Sequence, residues 1–239
     1  FYYLMYIGMK KELSVVFLGF AAILFVAGCG SAPIVEDLDE SLYPEGDSQV
    51  LGEQIDSKED VSEVSYAVST ETSRLEWTGT KVVGTAHNGL VRASSGTILV
   101  GEDNTIVSGE VTIDMSTMEC IDLEGDGAES LIGHLSGPDF FDIEKFPTSK
   151  FALTSVEKNE SEDNAYTITG NLTIKDVTKE LVTPAIITFS ETGLVGDATF
   201  SIDRTEWNLV YGSGKFFKGL GDNVIDDSIA FTLHLEATK

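Results

Sequence analysis

Three histidines, one acidic loop, one unpaired cysteine and one Asp-Arg step are the residues of this chain that could carry chemistry. His87, His134 and His234 are widely spaced, and none forms the short His-x-x-x-His pair that would offer zinc two ligands from one helix. His134, in Gly133-His134-Leu135, is expected to satisfy backbone groups where a short helix meets a sheet, and His87, beside Asn88-Gly89, reads as a turn residue. Asp122, Glu124 and Asp126, with Gly127 in sixth place, begin like a calcium loop. The twelfth position is Gly133, where a bidentate Glu is required, so the segment reads as a solvated acidic loop. Cys120 has no clear His/acid partner nearby in sequence and reads as a small buried residue. Asp203-Arg204 lies next to Trp207, so an Arg–carboxylate pair stacked on the indole would close one end of a β-structure, or contact a polar headgroup. No Gly-x-Ser-x-Gly, P-loop or dinucleotide fingerprint is present, and the reading is of a chain with no catalytic residue, no metal and no cofactor.

Cys29 has a different chemistry. Met9-Lys10-Lys11 is a basic start, and Leu13 to Ala27 is an apolar run of signal-peptide length, short of the ~20 residues a membrane span needs. The run ends in Val26-Ala27-Gly28-Cys29, which resembles a bacterial lipobox, so residues 1–28 are expected to be a signal (with extra residues before Met9) and Cys29 the lipidated terminus. Two or more acyl chains anchor a protein stably to a membrane surface. Residues 29–65 then carry eleven acidic side chains against Lys58 and show no sustained period, the composition of a self-repelling tether. This leaves residues 66–239 as the folded domain, facing periplasm or exterior at the cell envelope.

The charge narrows the partners. The chain carries a net charge of −25, which excludes the basic footprint that nucleic acid needs and disfavours electrostatic attachment to anionic lipid. Cys120 is alone once Cys29 is lipidated, so no internal disulfide supports the fold. A homodimer is left open.

The elements that must position these residues are strands. Val111, Ile113 and Met115 alternate with polar neighbours, as do Tyr166, Ile168, Leu172 and Ile174, then Ala198, Phe200 and Ile202, then Ile229, Phe231, Leu233 and Leu235. One wet and one apolar face per strand is the mark of antiparallel sheet. Turn signals fall at Asn88-Gly89, 101–104, 160–164, 191–193 and 219–223. About eight to ten strands in the domain suit a closed barrel, which removes sheet edges and encloses room for one small ligand. One stretch, Ala128 to Phe151, does not read as strand. Asp126 and Glu129 suggest a capping box, Pro138 is expected to limit the helix to about two turns, and Phe140, Phe141, Phe146 and Phe151 follow as an aromatic plug at the barrel mouth.

An ordered set of motifs supports this architecture. It runs through Trp77-Thr-Gly-Thr-Lys81, Gly84-Thr-Ala-His87-Asn-Gly89, Gly109 to Met115, Gly133-His134-Leu135 and Pro138-Asp-Phe-Phe141. It continues through Phe146-Pro-Thr148, Thr169 to Lys175, Ile202 to Trp207, Tyr211 to Phe217 and Ile225 to Ile229. The set resembles the YceI-like family of bacterial polyisoprenoid-binding proteins over nearly all of residues 70–239. The resemblance implies an all-β, lipocalin-like antiparallel barrel of about eight strands, with a hydrophobic tunnel for an isoprenoid chain such as a polyprenyl or quinone tail, and no catalysis. Trp77, Phe140, Phe141, Phe151, Tyr166, Phe200 and Phe231 are the candidate tunnel residues. The alternative is a barrel filled by its own side chains, acting as an interaction or stress-protection module.

Overall fold

The computed structural model describes residues 62–160 and 162–239, and the signal, lipidation and tether expectations on residues 1–61 lie outside them. Nine strands and one α-helix follow in order: β1 (Val64–Val68), β2 (Arg74–Thr80), β3 (Ala86–Val100), β4 (Ile106–Cys120), α1 (Asp126–Ser136), β5 (Thr148–Lys158), β6 (Ala165–Ile174), β7 (Val177–Phe189), β8 (Gly193–Asp203) and β9 (Ser228–Thr238). Every pairing is antiparallel. The sheet order β3-β2-β9-β8-β7-β6-β5-β4 is closed by pairing of β3 with β4, which makes an eight-stranded lipocalin-like barrel.

β1 shares the place of β2. Arg74 to Thr80 pair with the first half of β3, while Val64 to Ala67 pair with its second half, and both short strands reach β9 on their other side. One stave of the barrel is therefore built from two strands laid end to end. The break at 69–73 is held by Ser73, whose Oγ donates to the Glu236 carbonyl while the Glu236 amide donates back to it.

The alternation in sequence is the inside–outside alternation of the barrel. Opposed residues such as Val111 and Phe151, or Phe151 and Leu172, share the inner face. At one end that interior is solid. Tyr66, Val68, Val100, Leu194, Leu235 and Ala237 are all buried there and pack against one another. β1 enters at this packed end, where Val64 lies opposite Val100.

The short turns at 101–104, 160–164 and 191–193 lie where the sequence placed them. Residues 219–223 instead fall inside the long β8–β9 connection, around a 3-10 turn at Gly221–Asn223. Asn88-Gly89 is no turn. It lies within β3, paired with Thr78 and Trp77 of β2, and the connection is at 81–85. Gly89 is needed there for space, because a Cβ would overlap both the Trp77 indole and the Glu119 carbonyl. His87 is accordingly a strand residue, opposite Gly79.

The helix also departs from expectation. It has 11 residues, about three turns, because Pro138 lies beyond its C-terminal Gly137 and does not cut into it. No capping box forms. Gly125, at φ 56°, is the N-cap and has no side chain to offer, so Asp126 and Glu129 act only as negative charges in the first turn. Cys120 is half-buried at the end of β4, with Sγ 3.2 Å from Asp122 Oδ1.

Candidate functional site

The other half of the barrel is hollow. A cavity of about 710 Å³ occupies it, within the size range of small-molecule pockets. Its wall comes from inward residues of the barrel strands, from α1, and from the connections at 81–85 and 204–227. The apolar part is built in layers. Leu75 and Trp77 of β2 face Ile113 and Met115 of β4, and Phe200 and Phe231 stack across β8 and β9 with centroids 5.3 Å apart and planes at 25°. α1 lies across the barrel end, with Ile132 and Leu135 packed on Val91, Met115 and Met118.

Five of the seven candidate aromatics are in this wall: Trp77, Phe140, Phe141, Phe200 and Phe231. Phe151 and Tyr166 are not among its residues. Phe151 points inward opposite Val111 and Leu172, but its ring lies over Gly170, where any Cβ would overlap it. Tyr166 stands near the far end of β6, opposite Lys158 and Ala185. Phe151, expected in the aromatic plug, is therefore a β5 residue and not part of the plug, and the alternation that marks Tyr166 carries no information on depth along the barrel axis.

The mouth holds the polar groups. His134 is not a backbone-satisfying residue: its ring meets Phe140 edge-on at 5.1 Å and Tyr211 at 4.7 Å, with Asp139 3.9 Å from Nε2. His87 Nδ1 lies 2.9 Å from Asp122 Oδ2, and the Asn88 amide donates to Asp122 Oδ1 at 2.8 Å. That amide first, and then His87, hold the Asp122 carboxyl down at about 2. Asp122, the first residue of the calcium-loop pattern, is thus engaged by the start of β3. Trp77 Nε1 is buried and has no hydrogen-bond partner among the described residues.

Arg204 organises the connection that forms one side of the mouth. It is 1% exposed, and Nε donates to the Asp226 carbonyl at 2.9 Å, Nη1 to Leu209 O, and Nη2 to Ile225 O at 3.2 Å. Its ion-pair partner is Asp227, at 3.4 Å, and not the adjacent Asp203. Burial lowers the Arg204 pKa, while Asp227, Asp203 and Asp226 oppose that shift. Asp203 caps the 3-10 turn Arg204–Trp207 through Thr205 and accepts from Lys215 at 2.7 Å. Burial disfavours its ionised form, yet the Lys215 and Thr205 hydrogen bonds prevail and its pKa is lowered. The Trp207 indole is buried, with Nε1 donating to Leu172 O at 3.1 Å. The stacked Arg–Trp arrangement expected from the sequence is replaced by a guanidinium held by carbonyls. It staples residues 204–227 into one piece.

Wall residues such as Val91, Met118 and Tyr211 were not among the candidates. Val91 and Met118 lie on long, bulged strands where simple alternation breaks, and Tyr211 lies on a connection with no period. The motif Tyr211-Gly-Ser-Gly was the available signal for the last.

A YceI-like domain matches residues 66–237. The chain belongs to the YceI-like family. Among solved structures it is similar to Burkholderia cenocepacia BcnA, with 19% identity and TM-score 0.54, over 72% of this chain and 99% of that one. It is also similar to a polyisoprenoid binding domain from Saccharophagus degradans implicated in plant cell wall breakdown, with 14% identity and TM-score 0.53, over 72% and 97% of the two chains. At these identities the likeness is one of fold. A curated relative, UPF0312 protein plu2095 of Photorhabdus laumondii subsp. laumondii, is 43% identical over 49 residues, 20% of this chain and 24% of that protein. This match therefore spans about a quarter of the relative's length. BcnA is matched over almost its whole length, so the barrel accounts for nearly all of that solved chain.

Proposed function

We propose that this YceI-like barrel binds the chain of an isoprenoid lipid, a polyprenyl or quinone tail, and carries, stores or shields it at the bacterial cell envelope. The observation that carries this reading is the division of the barrel interior. One end is packed solid by its own side chains, and the other is a cavity of about 710 Å³ walled by aromatic, aliphatic and methionine residues. A barrel that was only a stable module would gain by filling that space, since empty apolar volume costs stability. An apolar chain entering it leaves water at roughly 0.8 kcal/mol per CH₂. The flexible thioethers of Met115 and Met118 suit branched methyl groups of variable position. The S. degradans domain, named for polyisoprenoid binding, supports the same chemistry.

The reading includes a lipid anchor at Cys29 and the acidic segment after it as a spacer, which would hold the barrel beside the membrane in which such a cargo dissolves. Native mass spectrometry of residues 62–239 purified without detergent tests the cargo. A stoichiometric prenyl lipid is expected. A protein that remains empty after incubation with envelope lipids would overturn the reading and favour the interaction module.

A further inference from the structure

The cavity opens through a rim whose side chains do not suit water. Among the described residues, six of the ten exposed large hydrophobics sit on the connections at this one end: Val82, Val83, Ile121, Tyr211, Phe216 and Phe217, at 40% to 63% exposure. They come from three separate connections, after β2, after β4 and between β8 and β9, that close the same end of the barrel. The Val82 amide donates to the Val224 carbonyl at 2.9 Å, and Ile121 to the Asn88 carbonyl at 2.9 Å, so these segments are tied to the mouth. The 211–217 segment is firm as well: Ser213 is fully buried and Lys215 bridges Asp203 and Asp227. Phe216 and Phe217 are thus displayed, largely exposed, by a braced loop.

We infer that this rim is a membrane-docking surface that inserts into a lipid bilayer and places the cavity mouth against the hydrocarbon. The inference rests on the isoprenoid reading, because such a cargo partitions into bilayers and must enter the cavity from one. Continuity decides the occupant: the apolar rim runs directly into the apolar wall through Tyr211, which belongs to both. Charge decides the kind of bilayer. The chain carries a net charge of −25, so attraction to an anionic surface is absent and insertion rests on apolar side chains at a neutral, zwitterionic interface. β1 begins at Val64, opposite Val100, at the other, packed end of the barrel.

The test is flotation of residues 62–239, the complete barrel, with phosphatidylcholine vesicles at low and high salt and with no cargo added. We expect cofloating that salt does not weaken. Removing both phenyl rings (Phe216→Ser with Phe217→Ser) is expected to lower vesicle partitioning at least about tenfold. The control pair Val182→Ser with Ile186→Ser, exposed on the outer wall of β7, is expected to leave it unchanged. A prenyl lipid offered in detergent micelles separates the two proposals. The rim variant keeps its equilibrium affinity for that lipid but loses its rate of pickup from vesicles. Absence of flotation, flotation insensitive to the two phenylalanines, or a rim-dependent dimer in place of vesicle binding would each overturn the inference. A protein that floats through its rim but takes up no prenyl lipid would retain the docking surface and refute the cargo.

Discussion

Replacing Arg204 tests whether one buried cation holds the mouth of the barrel together. Arg204→Met keeps most of the side chain's length and removes every donor. Three carbonyls, of Asp226, Leu209 and Ile225, lose their partner in the interior, each at a cost of about 1–3 kcal/mol where water does not replace it. Asp227 is not stranded, since Lys215 remains 3.3 Å from its other oxygen. That places the loss near the ordinary cost of breaking a buried ion pair, about 3–5 kcal/mol, and not at the sum of its parts. For a domain of this size the fall in Tm is roughly 10 °C, at about 2–4 °C per kcal/mol. Urea and thermal unfolding followed by circular dichroism, on residues 62–239, measure it. Arg204→Lys is expected to recover only part of the loss, because one ammonium cannot reach acceptors arranged around a planar fork. Affinity for a prenyl lipid is expected to fall in both variants, as residues 204–227 form part of the cavity wall. A loss under about 1 kcal/mol in Arg204→Met would refute the reasoning, for it would mean that these carbonyls find other partners freely.

Three further outcomes follow from the geometry. Gly89→Ala is expected to destabilise the barrel by about 2 kcal/mol or more and to shift Trp77 fluorescence, since the added methyl overlaps the indole and the Glu119 carbonyl; a shift in denaturation midpoint is the measure. Ser149→Phe, from a buried inward position in the cavity wall beside Met115, is expected to occupy part of the cavity and weaken prenyl-lipid binding at least about tenfold while the barrel stays folded, as titration by tryptophan quenching would record. His234 makes stability depend on pH. Asp197 first, and then Glu236, accept from its ring at 2.8 and 3.0 Å and raise its pKa. The gain is fully present below the unfolded pKa of about 6.5 and is lost as pH rises through the raised folded value. His234→Gln is therefore expected to cost stability at pH 5.5 and little at pH 9, by about 1 kcal/mol or less given its exposure, in paired denaturation curves.

Much of the site was legible before the fold, and the failures share a cause. Phe200, Phe231 and Trp77 were found because period-two alternation marks the inner face. Tyr166 passes the same test yet lies near the far end of β6, and Phe151, expected in the plug, lies in β5 and packs over Gly170. Asn88-Gly89 has the composition of a hairpin turn, but its glycine answers to the bulk of Trp77 across the strand pair. Arg204 was read with its sequence neighbour Asp203, whereas its partners lie 5 to 23 residues away, on the far side of the connection it closes.

The amino-acid sequence by itself determined an antiparallel all-β domain, the inward side of its main strands, the absence of a basic footprint, and membership in a family through motifs in fixed order. These depend on local residue type and spacing, which the chain carries whatever its partners. Tertiary structure alone decided that β3 meets β4 to close the barrel, that β1 and β2 share one stave, and that the interior is solid at one end and hollow at the other. The physical reason is register. Which residues lie at the same depth is set by the stagger of strands around the closed sheet and by what side chains meet there. No local pattern reports either.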